Sequence, residues 1–240
     1  MPKVSIVLPP RDSHEMKVLI GEFSGKSKFM PKLKQHGWGR MWASYGPAFD
    51  YDDEPWGFDN GAWSAYTKKV SFDEAKFIRR LNRAIDRATY PPIVAVVPDI
   101  VGSGLASLAF SEGYLNGSHL VRGWPWFLAV QDGMCIERVR RVMLHYDIAG
   151  LFLGGTDEFK KTAPIWCELA HRNNKSFHFA RCNREDWYRL AIRIGTDSMD
   201  STRPLRAFTG GEMSRFKRFE QLVTGQCKQL PLMFPETQLD

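Results

Sequence analysis

Ile93-Val94-Ala95-Val96-Val97-Pro98-Asp99 decides the fold. Its first five residues are apolar and mostly β-branched, with no polar residue alternating among them. A strand with one wet face would alternate, so this one is buried on both faces, as in a parallel sheet covered by helices. Pro91-Pro92 stops whatever precedes it, and Pro98-Asp99 ends it on a carboxylate.

The chain on either side alternates in the same way. Upstream, Phe77, Leu81, Ile85 and Ala88 recur at helical spacing, with Arg79, Arg80, Arg83 and Arg87 on the solvated face. Ser71 and Glu74 are expected to form a capping box for that helix. Downstream, a weaker helical segment covers 102–122, and strands are expected at 126–131, 150–153, 176–181 and 196–200. Helices lie between them at 136–146, 158–173 (kinked at Pro164) and 185–194. Toward the N-terminus, strands are expected at 17–23, at 40–45 and around Phe58–Trp63, with a basic loop or short helix at 24–37.

Eight strands alternating with helices in 240 residues imply a single (β/α)8 barrel of the TIM type, whose typical length is about 250 residues. An open doubly wound sheet is the alternative, but no GxGxxG or GxxxxGK[ST] supports its nucleotide-binding form. The expected organisation is one barrel domain over 1–240. It has an irregular N-terminal arm (1–16) and a C-terminal basic helix and tail (210–240).

Composition narrows the function classes. The charged fraction is 25% and the hydrophobic fraction 43%, as in an ordinary soluble domain. No apolar run reaches the roughly 20 residues of a membrane helix. The apolar stretch after Met1 is too short for a secretory signal, so a cytoplasmic protein is expected. Cys135, Cys167, Cys182 and Cys227 are too far apart for a CxxC-type zinc site, and no metal is expected. The net charge of +6 favours a polyanionic partner.

In a barrel of this kind, chemistry gathers at the C-terminal ends of the strands. Asp59, Asp99, Gln131, Gly154, Gly155 and Asp200 all fall there. In Gly195-Thr196-Asp197-Ser198-Met199-Asp200 the two carboxylates are three residues apart, so on a strand they face opposite ways. One of them serves the mouth and the other the scaffold.

These segments resemble the tRNA-guanine transglycosylases. Asp59-Asn60-Gly61-Ala62-Trp63 is similar to that family's Asp-Ser-Gly-Gly-Phe, and Val130-Gln131-Asp132-Gly133 to its Val-Gln-Gly-Gly. Gly150-Leu151-Phe152-Leu153-Gly154-Gly155 resembles Gly-x-x-Ile-Gly-Gly. Gly195 to Asp200 matches Gly-Val-Asp-x-Phe-Asp, in which the second Asp is the nucleophile. The family's Cys-x-Cys-x-x-Cys zinc subdomain has no counterpart, since only Cys227 follows Asp200. The cysteine after the base-reading Asp is also missing, and Asp200 stands two residues closer to Thr202-Arg203. These departures fit the short phage and bacterial relatives that insert 7-deazaguanines into DNA.

The resemblance implies a DNA guanine transglycosylase that needs no cofactor. Its substrates would be DNA and a free 7-deazaguanine such as the 7-cyano form. Asp200 would attack the anomeric carbon and Asp59 would carry the proton. Asp99 would accept from guanine N1–H and its amine, while Gln131 and a Gly154 or Gly155 N–H would donate to O6. Asn60 groups with the base contacts, and Trp63 or Met199 would cover a base face. Lys26, Lys28, Arg203, Arg206, Arg215, Lys217 and Arg218 are the phosphate-binding candidates. A zinc-free tRNA enzyme, a non-catalytic nucleic-acid-binding subunit and a small-glycoside hydrolase are the competing expectations.

Overall fold

The computed structural model describes residues 16–21, 23, 27–43 and 54–225. Lys26, Cys227, the arm before Met16 and the tail beyond Gly225 lie outside the described residues. Eight parallel strands close into a barrel in chain order. They are β1 (Lys17–Gly21), β2 (Gly39–Trp42), β3 (Trp56–Phe58), β4 (Val94–Val96), β5 (Trp126–Val130), β6 (Gly150–Leu153), β7 (Ser176–Phe179) and β8 (Ser198–Ser201). The ring closes where β1 pairs with β8, Leu19 opposite Asp200.

Among the described residues, helices follow seven of the eight strands. After β1 comes α1 (Met30–Gln35), and after β3 come α2 (Ala62–Thr67) and α3 (Glu74–Arg87). Strands β4 and β5 are followed by α4 (Gly104–Asn116) and α5 (Ile136–His145). The β6 strand leads to α6 (Asp157–Lys160) and α7 (Ala163–Arg172), and β7 leads to α8 (Glu185–Arg193). Beyond β8 lie α9 (Arg203–Thr209) and α10 (Met213–Val223). The fold is the expected (β/α)8 barrel.

Strand alternation builds two apolar layers. Leu19, Met41, Val94, Val96, Phe127 and Ala129 meet one another with no helix residue among them, and so fill the barrel interior. The opposite faces of the strands, including Val18, Ile20, Leu128, Leu151, Phe177 and Met199, pack against Val139, Trp166, Trp187 and Phe216 of the helices. Gly150 permits the inner packing. A Cβ there would collide with the Ser176 carbonyl oxygen and stand 2.5 Å from a Phe127 ring carbon. Gly150→Val is therefore expected to destabilise the barrel by about 3 kcal/mol, read as a lower midpoint in urea denaturation.

Several local expectations are corrected. Helix α3 is capped by Asp73, which accepts from the Lys76 N–H at 2.8 Å, and not by the Ser71–Glu74 box. Its inward stripe is Phe77, Leu81 and Ala84, leaving Ile85 44% exposed. Arg80 is not on a solvated face: it donates to the Asp59 carbonyl at 3.0 Å. Pro164 starts a new helix in α7 and does not kink a longer one, because a proline in the first turn forfeits no helical hydrogen bond. Strand β3 ends at Phe58, and Gly61, with φ of 85°, turns the chain into α2.

Candidate active site

Asp200 sits on β8 with Ser198 on the same face and Met199 on the other. Its Oδ1 accepts from His178 Nε2 at 3.0 Å and from the Arg181 backbone N–H at 3.0 Å. His178 is fully buried, its Nδ1 lies 2.8 Å from Ser198 Oγ, and its ring stacks on Phe152 at 4.9 Å. With Nε2–H donating to Asp200, Nδ1 accepts the Ser198 hydroxyl proton, and the carboxylate is held from behind. Asp200 Oδ2 has no hydrogen-bond partner among the described residues. Asp197 serves the scaffold, accepting from the Phe177 N–H at 2.7 Å and pairing with His171 Nε2 at 2.9 Å.

Asp59 and Asp99 follow β3 and β4. Asp59 Oδ1 accepts from the Gly61 N–H at 2.6 Å. Burial raises its pKa, opposed by the Gly61 N–H and Arg80 and reinforced by Asp200. Asp99 accepts from Asn60 Nδ2 at 2.7 Å on Oδ1 and from Gln131 Nε2 at 3.2 Å on Oδ2. Its pKa is pushed up to about 6, chiefly by burial, against the Asn60 hydrogen bond and with Asp59 adding to the rise.

That shift has a stability consequence. Between its unfolded value near 4 and its folded value of about 6, the folded chain keeps a proton that the unfolded chain releases. Stability is therefore expected to fall as pH rises through that window, by up to about 3 kcal/mol from Asp99. Denaturation midpoints at pH 4.5 and 7 measure this, and the difference should shrink in Asp99→Asn.

Three expected base contacts are placed differently. Gln131 is already committed: Nε2 also lies 2.7 Å from Ser107 Oγ, and Oε1 accepts from the Gly102 N–H at 2.5 Å. It orients Asp99 and has no donor left over for a ligand. The Gly154 N–H is taken by the Val130 carbonyl at 2.9 Å. Met199 is fully buried in the outer layer, because strand alternation turns it away from the Asp200 face. The Gly155 N–H remains without a partner among the described residues. Gly155 has φ of 75°, and a Cβ would stand 2.7 Å from Asp132 Oδ2 and 2.7 Å from the Phe159 ring, so no other residue fits.

Arg181 and Lys160 complete the mouth. Arg181 holds a left-handed φ of 48°, which lets it serve the site three ways. Its N–H binds Asp200, its Nη2 donates to the Gly155 carbonyl at 2.7 Å, and its guanidinium lies 3.7 Å over the Trp63 ring. Its carbonyl accepts from Lys160 Nζ at 3.2 Å. In the sequence, Lys160 looks like half of a surface Lys-Lys pair.

A narrow cleft of about 50 Å³ is lined by Asp59, Asn60, Asp99, Gln131, Gly155 and Asp200, under Trp63 and Arg181. It adjoins a cavity of about 480 Å³ that shares Asp59, Trp63, Arg181 and Asp200 and extends to Lys160, Asn183 and Arg206. Through Arg206 this continues into a cavity of about 280 Å³, and through Arg203 and Arg215 into a groove of about 550 Å³ that Arg184 and Arg218 also line. Arg203, Arg206, Arg215 and Arg218 are thus brought to one continuous track, together with the unanticipated Arg184. Arg215 pairs with Glu212 at 2.7 Å and Arg218 with Glu185 at 3.0 Å. Lys28 and Lys217 are exposed and line none of these cavities.

Fold and site together define a (β/α)8 barrel with a carboxylate-lined cleft at its C-terminal mouth and an arginine-lined groove leading away from it. Among the described residues no group of three or more His, Cys, Asp or Glu is placed to hold a metal ion. No helix among them is long and apolar enough to cross a membrane. The chain matches no protein-family model and no curated protein.

Proposed function

We propose that the chain is a DNA guanine transglycosylase that exchanges guanine for a free 7-deazaguanine, such as the 7-cyano form, through a covalent aspartyl–sugar intermediate. One observation carries this reading. Three carboxylates from β3, β4 and β8 line a single cleft, one fixed by His178 and the Arg181 N–H and another by two side-chain amides.

The target nucleotide is flipped out, so that its sugar meets Asp200 and its base meets Asp99. An Asp200 oxygen bonds to C1′ as the C1′–N9 bond breaks, and the bonding pair leaves with the purine. Asp59, whose raised pKa suits a proton donor, protonates the departing base. The entering deazaguanine then gives its ring N–H proton to the Asp59 carboxylate and attacks C1′, which releases Asp200. Asp99 accepts from the N1–H and amine of the base, and the Gly155 N–H donates to O6. Gln131 and Asn60 orient Asp99 and do not touch the base.

The cleft of about 50 Å³ is far smaller than the few hundred Å³ usual for a ligand pocket. Arg181 lies across Trp63, so a base stacks there only after the guanidinium has swung aside. The groove carrying Arg203, Arg206, Arg215 and Arg218 supplies the phosphate contacts that offset the cost of flipping. The test is to incubate the protein with labelled guanine and either DNA or tRNA. Label entering DNA supports the proposal, and label entering only tRNA would replace the substrate. Release of nitrophenol from nitrophenyl glycosides without any nucleic-acid labelling would replace the reaction.

A further inference from the structure

Lys160 ends the short helix α6 and is only 3% exposed. A lysine so deeply buried normally faces a carboxylate at ion-pair distance. Among the described residues Lys160 makes no ion pair, and its one acceptor is the Arg181 carbonyl at 3.2 Å. Apart from that bond and a cation–π contact at 5.8 Å with the Phe179 ring, Nζ has no partner among the described residues, on the wall of the 480 Å³ cavity that also holds Asp59, Asp200 and Arg206. A clamp on a backbone carbonyl needs only a neutral donor, so the buried charge calls for a second explanation.

We propose that Lys160 is a phosphate-binding residue, taking a backbone phosphate that flanks the sugar held at Asp200. The 480 Å³ cavity is then the sugar-phosphate compartment, beside the narrow cleft that receives the base. The assignment rests on the reading of Asp200 as the sugar-binding carboxylate. A phosphate is favoured over other anions because the cavity runs on into the arginine-lined groove, the path of a polyanionic chain. Burial and then Arg181 lower the pKa of Lys160 to about 8, against Asp200 and Asp157, which raise it. The neighbouring Cys182 thiol stays neutral, its pKa raised by burial. An anion bound at Lys160 is thus held less tightly as pH rises past 8.

The test uses a single-stranded oligonucleotide with one tetrahydrofuran abasic residue, which binds without needing catalysis. Affinity is read by fluorescence anisotropy at pH 6.5 and 9.5 for wild type, Lys160→Met and Lys160→Arg. At pH 6.5 Lys160→Met should bind about tenfold more weakly, the size of one lost charge-assisted hydrogen bond. Lys160→Arg keeps both the carbonyl clamp and the charge, so it should bind like wild type at pH 6.5 and lose the weakening at pH 9.5. Replacing one flanking phosphate with a methylphosphonate should weaken wild type about tenfold and leave Lys160→Met unchanged. Equal losses in wild type and Lys160→Met, at both flanking phosphates, would overturn the assignment. So would a pH response in Lys160→Arg equal to that of wild type, a readout that stands even where Lys160→Met does not fold. Methylphosphonate coupling without guanine exchange would leave the phosphate site standing and remove the transglycosylase reading. Exchange without coupling would do the reverse.

Discussion

Asp200→Asn is expected to abolish the covalent protein–DNA adduct and to slow base exchange about 10⁴-fold or more, the scale on which enzymes respond to loss of a nucleophile. The amide is isosteric, and its oxygen can still accept from His178 Nε2 and the Arg181 N–H, the two contacts that position the side chain. The altered atom replaces Oδ2, which has no partner among the described residues, so the fold is expected to survive unchanged. The change therefore separates chemistry from structure. A neutral amide cannot share a pair with an oxocarbenium-like C1′, and the buried site offers no other carboxylate from the same face of β8. Denaturing-gel trapping with guanine-containing DNA, wild type beside Asp200→Asn, is the measurement. A wild-type adduct that persists in the variant would put the nucleophile elsewhere. Full exchange by the variant within an assembled complex would mark this chain as a non-catalytic subunit.

The parts of this molecule that were legible in its sequence are those governed by local patterning. Strands β4 and β5 are apolar runs buried on both sides, and helices such as α5, with Val139, Val142 and Met143 inward, announce themselves by spacing. Helices α1, α2 and α9 have six, six and seven residues, too short for a periodic signal, and tertiary packing decides them. At the site, the carboxylates were legible because strand ends are. Met199 could have been rejected from the sequence alone, since it neighbours Asp200 on the same strand and must face the other way. Gln131 and Gly154 could not. Their hydrogen bonds go to Gly102, Ser107 and Val130, partners known only once β4, β5 and their loops are assembled. Lys160 is hidden for the same reason: nothing in Lys160-Lys161 distinguishes the buried lysine from the exposed one.

Asp99→Asn is expected to cost guanine incorporation about 10⁴-fold, the penalty of a site built for specific hydrogen bonds that can no longer make them. Guanine presents two adjacent donors, N1–H and the exocyclic amine, and an ionised carboxylate meets both with acceptors. Asparagine replaces one acceptor with a donor, leaving two N–H groups opposed in a buried site that water cannot relieve. Hypoxanthine lacks the amine and should lose much less than guanine, so the variant's preference between the two bases narrows or inverts. Protonating Asp99 creates the same mismatch, and the wild-type rate should therefore fall as pH drops through about 6. The Asn variant cannot show that limb from this residue, which ties the pH profile to Asp99 and away from Asp59. Competition between labelled guanine and hypoxanthine from pH 5 to 8 measures both effects at once. An Asn variant that keeps the wild-type preference and the acid limb would show that Asp99 does not read the base.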